Sequence, residues 1–215
     1  MTDAIVVGGS RGIGRAIAAS LQDIGCRVLA TSTKQLDTSD LDGVRRFIEE
    51  NDTTDILVLN TGGPPAKKFH DITEEEWLRY HNQLFLGFCL LIKGITVRRG
   101  GYIFLISSGV IREPNPTLVI SGAYRAAFSS VFKVLSKDFA RRRVSCINIA
   151  PGLVDTDRTR DLLPDIEGQI NSLPMGRMGR PSEIGGLVKG IIQNNVEYLS
   201  GVTINFDGAS SGYVF

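Results

Sequence analysis

A chain of 215 residues has the size of one ordinary domain and is long enough to bury a substantial core. Its 24 Lys and Arg against 23 Asp and Glu leave a net charge of +1, and the basic residues are spread out, so nothing in the charge marks nucleic acid or an anionic membrane as a partner. Three cysteines, Cys26, Cys89 and Cys146, are odd in number, far apart and set among apolar residues, which argues against a disulfide framework and a cysteine metal site.

The first strong signal is Ile5-Val6-Val7, a β-branched run that reads as a buried strand. Gly8-Gly9-Ser10-Arg11-Gly12-Ile13-Gly14 follows as a glycine-rich turn, and Ile13, Ile17, Ala18, Leu21 and Ile24 then recur at helical spacing. Strand, tight turn and helix start together make a phosphate site. Glycines let the backbone come close, and the unpaired N–H groups of the first helical turn face the anion with the helix dipole behind them. The spacing Gly8-x-x-x-Gly12-x-Gly14 differs from the common dinucleotide spacing, so the turn alone is also readable as a plain strand-to-helix connection.

Arg27 to Thr31 reads as a second strand, and Ser32 to Asp37 leaves no room for a helix before the next one starts. Ser39 or Asp40 can cap that helix, whose apolar face is Val44, Phe47 and Ile48. Asp55 to Asn60 is apolar throughout until its end, as a parallel strand covered on both faces should be. Thr61-Gly62-Gly63-Pro64-Pro65 breaks the chain, and Thr73 with Glu76 forms a capping box for a long helix over residues 74 to 92. On it Trp77, Phe85 and Phe88 sit at helical spacing and read as core. Further strands are expected at Gly101 to Ser108, Val144 to Ala150 and Val202 to Phe206, with helices from about Ser121 to Ala140 and from Ser182 to Gln193. Arg141-Arg142-Arg143 reads as a solvated helix end, where cations are favoured. Leu153 to Pro181 is polar and punctuated by proline and glycine, with one short helix expected. Alternating strands and helices imply right-handed crossovers and an α/β fold, a doubly wound parallel sheet with helices on both faces, as a single domain over residues 1–215.

Asp3 interrupts any secretory pattern at the start, and the longest later apolar stretch, Leu84 to Ile92, is too short to span a bilayer. His70 and His81 stand in no metal-ligand spacing. A soluble cytoplasmic protein without a metal site is expected.

The chain resembles the short-chain dehydrogenase/reductases from end to end. Val7 to Gly14 resembles that family's nucleotide turn, Asn60-Thr61-Gly62-Gly63 its segment after the fourth strand, and Ile106-Ser107-Ser108 the strand end that carries its active-site serine. Ala150-Pro151-Gly152-Leu153-Val154-Asp155-Thr156 resembles the segment beside the nicotinamide, and residues 176–184 and 201–208 resemble the C-terminal signatures. Within the family the nearest look is to 3-oxoacyl-carrier-protein reductase-like members. The resemblance implies a Rossmann-type sheet, here shortened after the second strand. It also implies a nicotinamide cofactor held by Gly8, Ser10, Arg11, Gly12, Ile13, Gly14, Asn60, Gly62, Pro151, Gly152, Val154 and Thr156. Asn60 and Ser108, at strand ends, fall on the carboxyl edge of the sheet, where open α/β folds bind ligands.

A carboxylate at the end of the second strand would bind an adenosine ribose diol and repel a 2′-phosphate. Here that position reads Thr31-Ser32-Thr33-Lys34, with Arg11 inside the glycine turn, so Arg11, Ser32, Thr33 and Lys34 favour NADP(H) over NAD(H). Asp37 resembles the aspartate that contacts adenine.

The catalytic pattern departs from the family. A serine, a tyrosine, a lysine four residues after it and an asparagine on the preceding helix are expected, and only Ser108 is retained in place. An ungapped reading puts Ser121 at the tyrosine position, Arg125 at the lysine position and Leu84 at the asparagine position, with Asn82 and Gln83 just before it. Tyr124 is the nearby tyrosine, but four residues on lies Phe128. A shift of about three residues would rotate the helix's apolar face out of the core, so the ungapped register is preferred. In the favoured reading Arg125 holds the cofactor ribose, Ser108 the carbonyl oxygen, and Tyr124, Ser121 or a water gives the proton, in hydride transfer between NADP(H) and a small carbonyl or alcohol substrate. The alternative is an impaired NADP(H)-binding homologue serving as sensor or partner subunit.

The long segment Asp155 to Arg180 suggests a lid. Leu162 and Leu163 with Ile111 and Leu118 suggest a partly apolar substrate end, and Arg158 or Arg160 is a candidate for an anionic group. Family likeness implies a homodimer or homotetramer built on residues 74–92, residues 121–140 and the last strand.

Overall fold

The computed structural model describes residues 1–163 and 165–213. Its strands are β1 (Asp3–Val6), β2 (Arg27–Ala30), β3 (Thr53–Leu59), β4 (Thr96–Ile106), β5 (Ser145–Pro151) and β6 (Val202–Phe206). They form one six-stranded sheet in the order β2-β1-β3-β4-β5-β6, with every pair parallel. The order reverses at β1 and β3, and the chain leaves β1 through the glycine turn and β3 through Asn60. Such a reversal opens a crevice at the carboxyl ends of the strands.

Side chains alternate across the sheet and divide the core in two. Ile5, Val7, Leu57, Leu59, Ile103 and Leu105 face one way. They meet α2 (Leu41–Glu50), α4 (Gly87–Gly94) and α5 (Val119–Arg141) through Val44, Phe47, Phe88, Leu91, Phe128 and Phe132. Ala4, Val6, Ile56, Val58, Tyr102 and Phe104 face the other way. There they meet α1 (Gly12–Gln22) and α8 (Pro181–Gln193) through Ile17, Leu21, Ile184 and Val188. The doubly wound arrangement follows as expected from the pattern.

As expected, the chain turns directly from β2, the edge of the sheet, toward α2, which Asp40 caps. Three departures from the expected elements matter. β4 begins at Thr96 instead of Gly101, because Thr96 and Val97 already pair with Thr53 and Thr54 before an irregularity at Thr54/Ile56. The segment after β5 holds two short helices instead of one, α6 (Asp157–Leu162) and α7 (Ile166–Ser172). Finally, the expected long helix is α3 (Glu74–His81) and α4 joined by a π-helical stretch at Asn82–Leu86. No helix among the described residues is long and apolar enough to cross a membrane.

Candidate active site

Gly8 and Gly12 have positive φ (63° and 53°), which lets the backbone fold back on itself between β1 and α1. The turn is then tied down from two sides. The Gly8 N–H donates to Thr31 Oγ1 at 3.2 Å, and Asn60 Nδ2 donates to the Gly8 carbonyl at 3.0 Å. A Cβ on Gly14 would stand 2.1 Å from the Gly8 oxygen and 2.7 Å from Asn60 Nδ2, so only glycine permits this closure. Asn60 therefore holds the turn to the end of β3. Arg11 enters α1 in extended conformation, no side chain caps the helix, and no acid lies in its first turn. Ser10 and Arg11 are exposed beside those N–H groups, and Ile13 packs toward the core.

Beyond β2, the N–H and Oγ of Ser32 both donate to Gln35 Oε1, at 2.9 and 3.0 Å, shaping a turn that exposes Thr33 and Lys34. Asp37 Oδ1 accepts from the Ser39 N–H and Oγ at 2.9 and 2.8 Å, so that oxygen is committed to the turn before α2.

The centre of the crevice is Arg125. Its Nε donates to Ser121 Oγ at 3.2 Å, Nη1 to the carbonyls of Ile106 at 3.0 Å and Ser107 at 3.5 Å, and Nη2 to the carbonyl of Thr61 at 3.2 Å. One guanidinium thus joins α5, the end of β4 and the loop after β3. Desolvation, with the Arg158 charge adding to it, pushes the Arg125 pKa down to about 10, so it stays positive at neutral pH. Phe128 lies in the aromatic core at 1 % exposure, which is the register the apolar pattern required.

Ser108 follows two residues after the end of β4, and its Oγ accepts from the Val110 N–H at 3.5 Å, a long contact that commits the hydroxyl weakly. Ser121 is brought to Arg125, while Tyr124 turns away from it. The Tyr124 hydroxyl donates to the Trp77 carbonyl at 3.2 Å, and its ring packs edge-on against Trp77 and His81. Burial raises its pKa further.

Two contributors escaped the sequence reading. The π-helical stretch presents Gln83, whose Nε2 donates to Thr61 Oγ1 at 3.2 Å and to the Gly62 carbonyl at 3.0 Å. Thr38 sits against the same distortion, donating from Oγ1 to the Gln83 carbonyl at 3.0 Å. A Cβ on Gly87 would come within 2.4 Å of the Thr38 carbonyl, so the glycine admits this approach. A side chain bonding into the helix ladder accounts for the π turn. Buried Leu84 faces the core, as Tyr80 and Phe88 do, and the spacing of four on each side was the only trace in the sequence.

On the far side, Gly152 closes against Asp207, where a Cβ would stand 2.9 Å from Asp207 Cβ, and its N–H donates to the Phe206 carbonyl at 3.0 Å. Pro151 ends β5 beside Gly109. Leu153 and Asp155 pair with Gly179, so the Val154 N–H points the other way. Thr156 caps α6 by accepting from the Thr159 N–H at 3.2 Å, and its methyl would touch a Cβ on Gly12 at 3.3 Å. The segment after β5 therefore closes over the glycine turn. Arg160 forms an ion pair with Asp155 at 2.7 Å, whereas Arg158 reaches across to the Pro64 carbonyl at 2.6 Å.

The family model described as enoyl-(acyl carrier protein) reductase matches residues 35–211. The chain is 29% identical over 236 residues to the 3-oxoacyl-[acyl-carrier-protein] reductase FabG of Chlamydia muridarum, covering 95% of each. It is 29% identical over 232 residues to FabG of Escherichia coli K12, again covering 95% of each. Among solved structures it is similar to a blue fluorescent protein from a metagenomic library in complex with NADPH, with TM-score 0.89, 22% identity and 98% of each chain covered. A short-chain dehydrogenase/reductase from Serratia marcescens BCRC 10948 matches with TM-score 0.85, 23% identity and 96% of each chain covered. The chain belongs to the short-chain dehydrogenase/reductase family of oxidoreductases, and within it is similar to the 3-oxoacyl-[acyl-carrier-protein] reductases.

Proposed function

We propose that the chain is an NADP(H)-dependent oxidoreductase acting on a small carbonyl or alcohol. The observation that carries this reading is the crevice between two fixed cationic points. At one end the uncapped N-terminus of α1 lies beside exposed Arg11. At the other the Arg125 guanidinium lies between the ends of β3 and β4. The cofactor's fit rests on that uncapped helix start and on Gly62, where a Cβ would meet nothing within 4 Å. The end of β2 offers Ser32, Thr33 and Lys34 and no carboxylate, which favours the 2′-phosphate of NADP(H) over the diol of NAD(H). Gly152, Val154 and Thr156 would line the nicotinamide end, and Gly8, Ser10, Gly12, Ile13 and Gly14 the diphosphate end.

When bound, the cofactor supplies or accepts a hydride at its nicotinamide ring. Ser108 donates its hydroxyl proton as a hydrogen bond to the substrate carbonyl oxygen, and Arg125 holds fixed positive charge where negative charge develops. Ser121 accepts from Arg125 Nε and so keeps its own O–H free, which makes it the relay that passes a solvent proton to the alkoxide. Tyr124, bonded to Trp77, packs α5 against α3.

The test is NADPH oxidation with a panel of small ketones and quinones. Ser108→Ala and Arg125→Ala are expected to lower kcat/KM by about 10²- to 10³-fold, the usual loss for one oxyanion donor. Tyr124→Phe should keep activity within about threefold, since no reacting group is removed. The tyrosine, packed away from Arg125, favours one rival, a homologue that binds NADP(H) without chemistry. NADPH binding with no carbonyl turned over at any pH would establish that rival.

A further inference from the structure

Two arginines that follow each other closely in the chain behave in opposite ways. Arg160 is 54% exposed and neutralised by Asp155 at 2.7 Å. Arg158, one helical half-turn earlier on α6, is drawn inward, and its Nη2 donates to the Pro64 carbonyl at 2.6 Å. That Nη2 would lie 3.0 Å from a Cβ on Gly63, and Arg125 Nη2 would lie 3.6 Å from the same point. Two guanidinium nitrogens from different sides of the crevice therefore converge over one glycine. Among the described residues, no carboxylate forms an ion pair with either. Arg125 spends its donors on Ser121 Oγ and the carbonyls of Ile106, Ser107 and Thr61, and Arg158 spends one on Pro64. Each feels the cost: desolvation first and the Arg158 charge second lower the Arg125 pKa, and desolvation also leads at Arg158. Arg11 adds repulsion there, partly offset by Tyr80 and Asp161. Like charges drawn together out of water, with donors left over, are complementary to an anion.

We propose that Arg158 and Arg125 form an anion subsite over Gly63 that binds a carboxylate or phosphate group of the substrate, making acidic oxo compounds the preferred substrate class. This rests on the oxidoreductase reading, and it assigns Arg158 a specificity role. The dinucleotide's diphosphate is the competing source of negative oxygen, but the helix start beside Arg11 already offers it a separate place. Planar guanidinium forks match the two oxygens of a carboxylate, and Gly63, having no side chain, leaves both Nη2 groups uncrowded where a Cβ would stand 3.0 Å from Arg158.

Isothermal titration of the full chain with malonate and with inorganic phosphate tests this, run with and without saturating NADP+. Wild type is expected to bind malonate in both states. Arg158→Gln should weaken malonate at least tenfold, Gly63→Ala should weaken it by pressing a methyl against Arg158 Nη2, and Arg160→Gln should leave it within twofold. NADPH affinity of Arg158→Gln, measured by quenching of Trp77 fluorescence, should stay within threefold and also serves as the folding control. Malonate affinity unchanged in Arg158→Gln overturns the proposal. So does a tenfold loss falling on NADPH, which would assign the anion to the diphosphate. Failure of wild type to bind NADPH at all would instead overturn the oxidoreductase reading, while the cofactor-free malonate titration still decides the subsite.

Discussion

Phe128 and Arg125, three residues apart on α5, divide the helix between core and crevice. Phe128 is 1% exposed and packs edge-on against Phe85 and Phe88, whereas Arg125 bonds three main-chain carbonyls and Ser121. A Phe128→Lys substitution would recreate the family's tyrosine–lysine spacing on Tyr124. It should nevertheless destabilise the fold instead of restoring activity, because it removes an aromatic ring and buries an unpaired ammonium. The expected loss is about 3–5 kcal/mol, read as a drop in denaturation midpoint. The position of Arg125 was legible because the apolar face of α5 allows only one register. Asn60 was legible as a strand-end residue at the crevice, though its bond to Gly8 was not. Gln83 and Thr38 were not readable as site residues, since each acts through a contact formed only by tertiary closure; Gln83 reaches back 21 residues to Gly62. Arg158 was a candidate for an anionic group alongside Arg160, but the choice between them was not legible, because it turns on a contact 94 residues away at Pro64.

Among the elements, α8 shows how a helix start can be secured by charge. Pro181 begins it, and Glu183 accepts from the Arg180 N–H at 2.8 Å while Arg177 grips both carboxylate oxygens at 2.8 and 2.9 Å. The hydrogen bond from Arg177, then that from the Arg180 backbone, hold the Glu183 pKa down at about 2, against an ordinary 4.5. A carboxyl that ionises more readily when folded stabilises the fold fully above pH 4.5, and the benefit vanishes as pH falls toward about 2. Wild-type Tm should therefore fall more steeply between those pH values than that of Glu183→Gln, as differential scanning fluorimetry across the range would measure. The element pattern was largely legible, because strands buried on both faces and amphipathic helices announce themselves. The π stretch at Asn82–Leu86 was not, since it arises from Thr38 bonding the Gln83 carbonyl, a contact outside the helix.

At the scale of the molecule, the sheet order brings the glycine turn, the loop after β3 and the end of β4 to one crevice. Outside it, Leu78 on α3 and Val134 on α5 are 61% and 65% exposed, on the helices expected to join subunits. A homodimer or homotetramer is expected by light scattering, and Leu78→Glu should shift it toward monomer by placing charge in an apolar contact. The sheet itself stops at β2, four residues long, with only the turn from Ser32 to Asp37 beyond it. An adenine lodged there would have one rim wetted by solvent, and selection between the two dinucleotides would be left to side chains standing in water. Attraction of that kind fades over about one Debye length, so dissolved salt would blunt the distinction far more than it would loosen hydrogen bonds from the backbone amides at the start of α1.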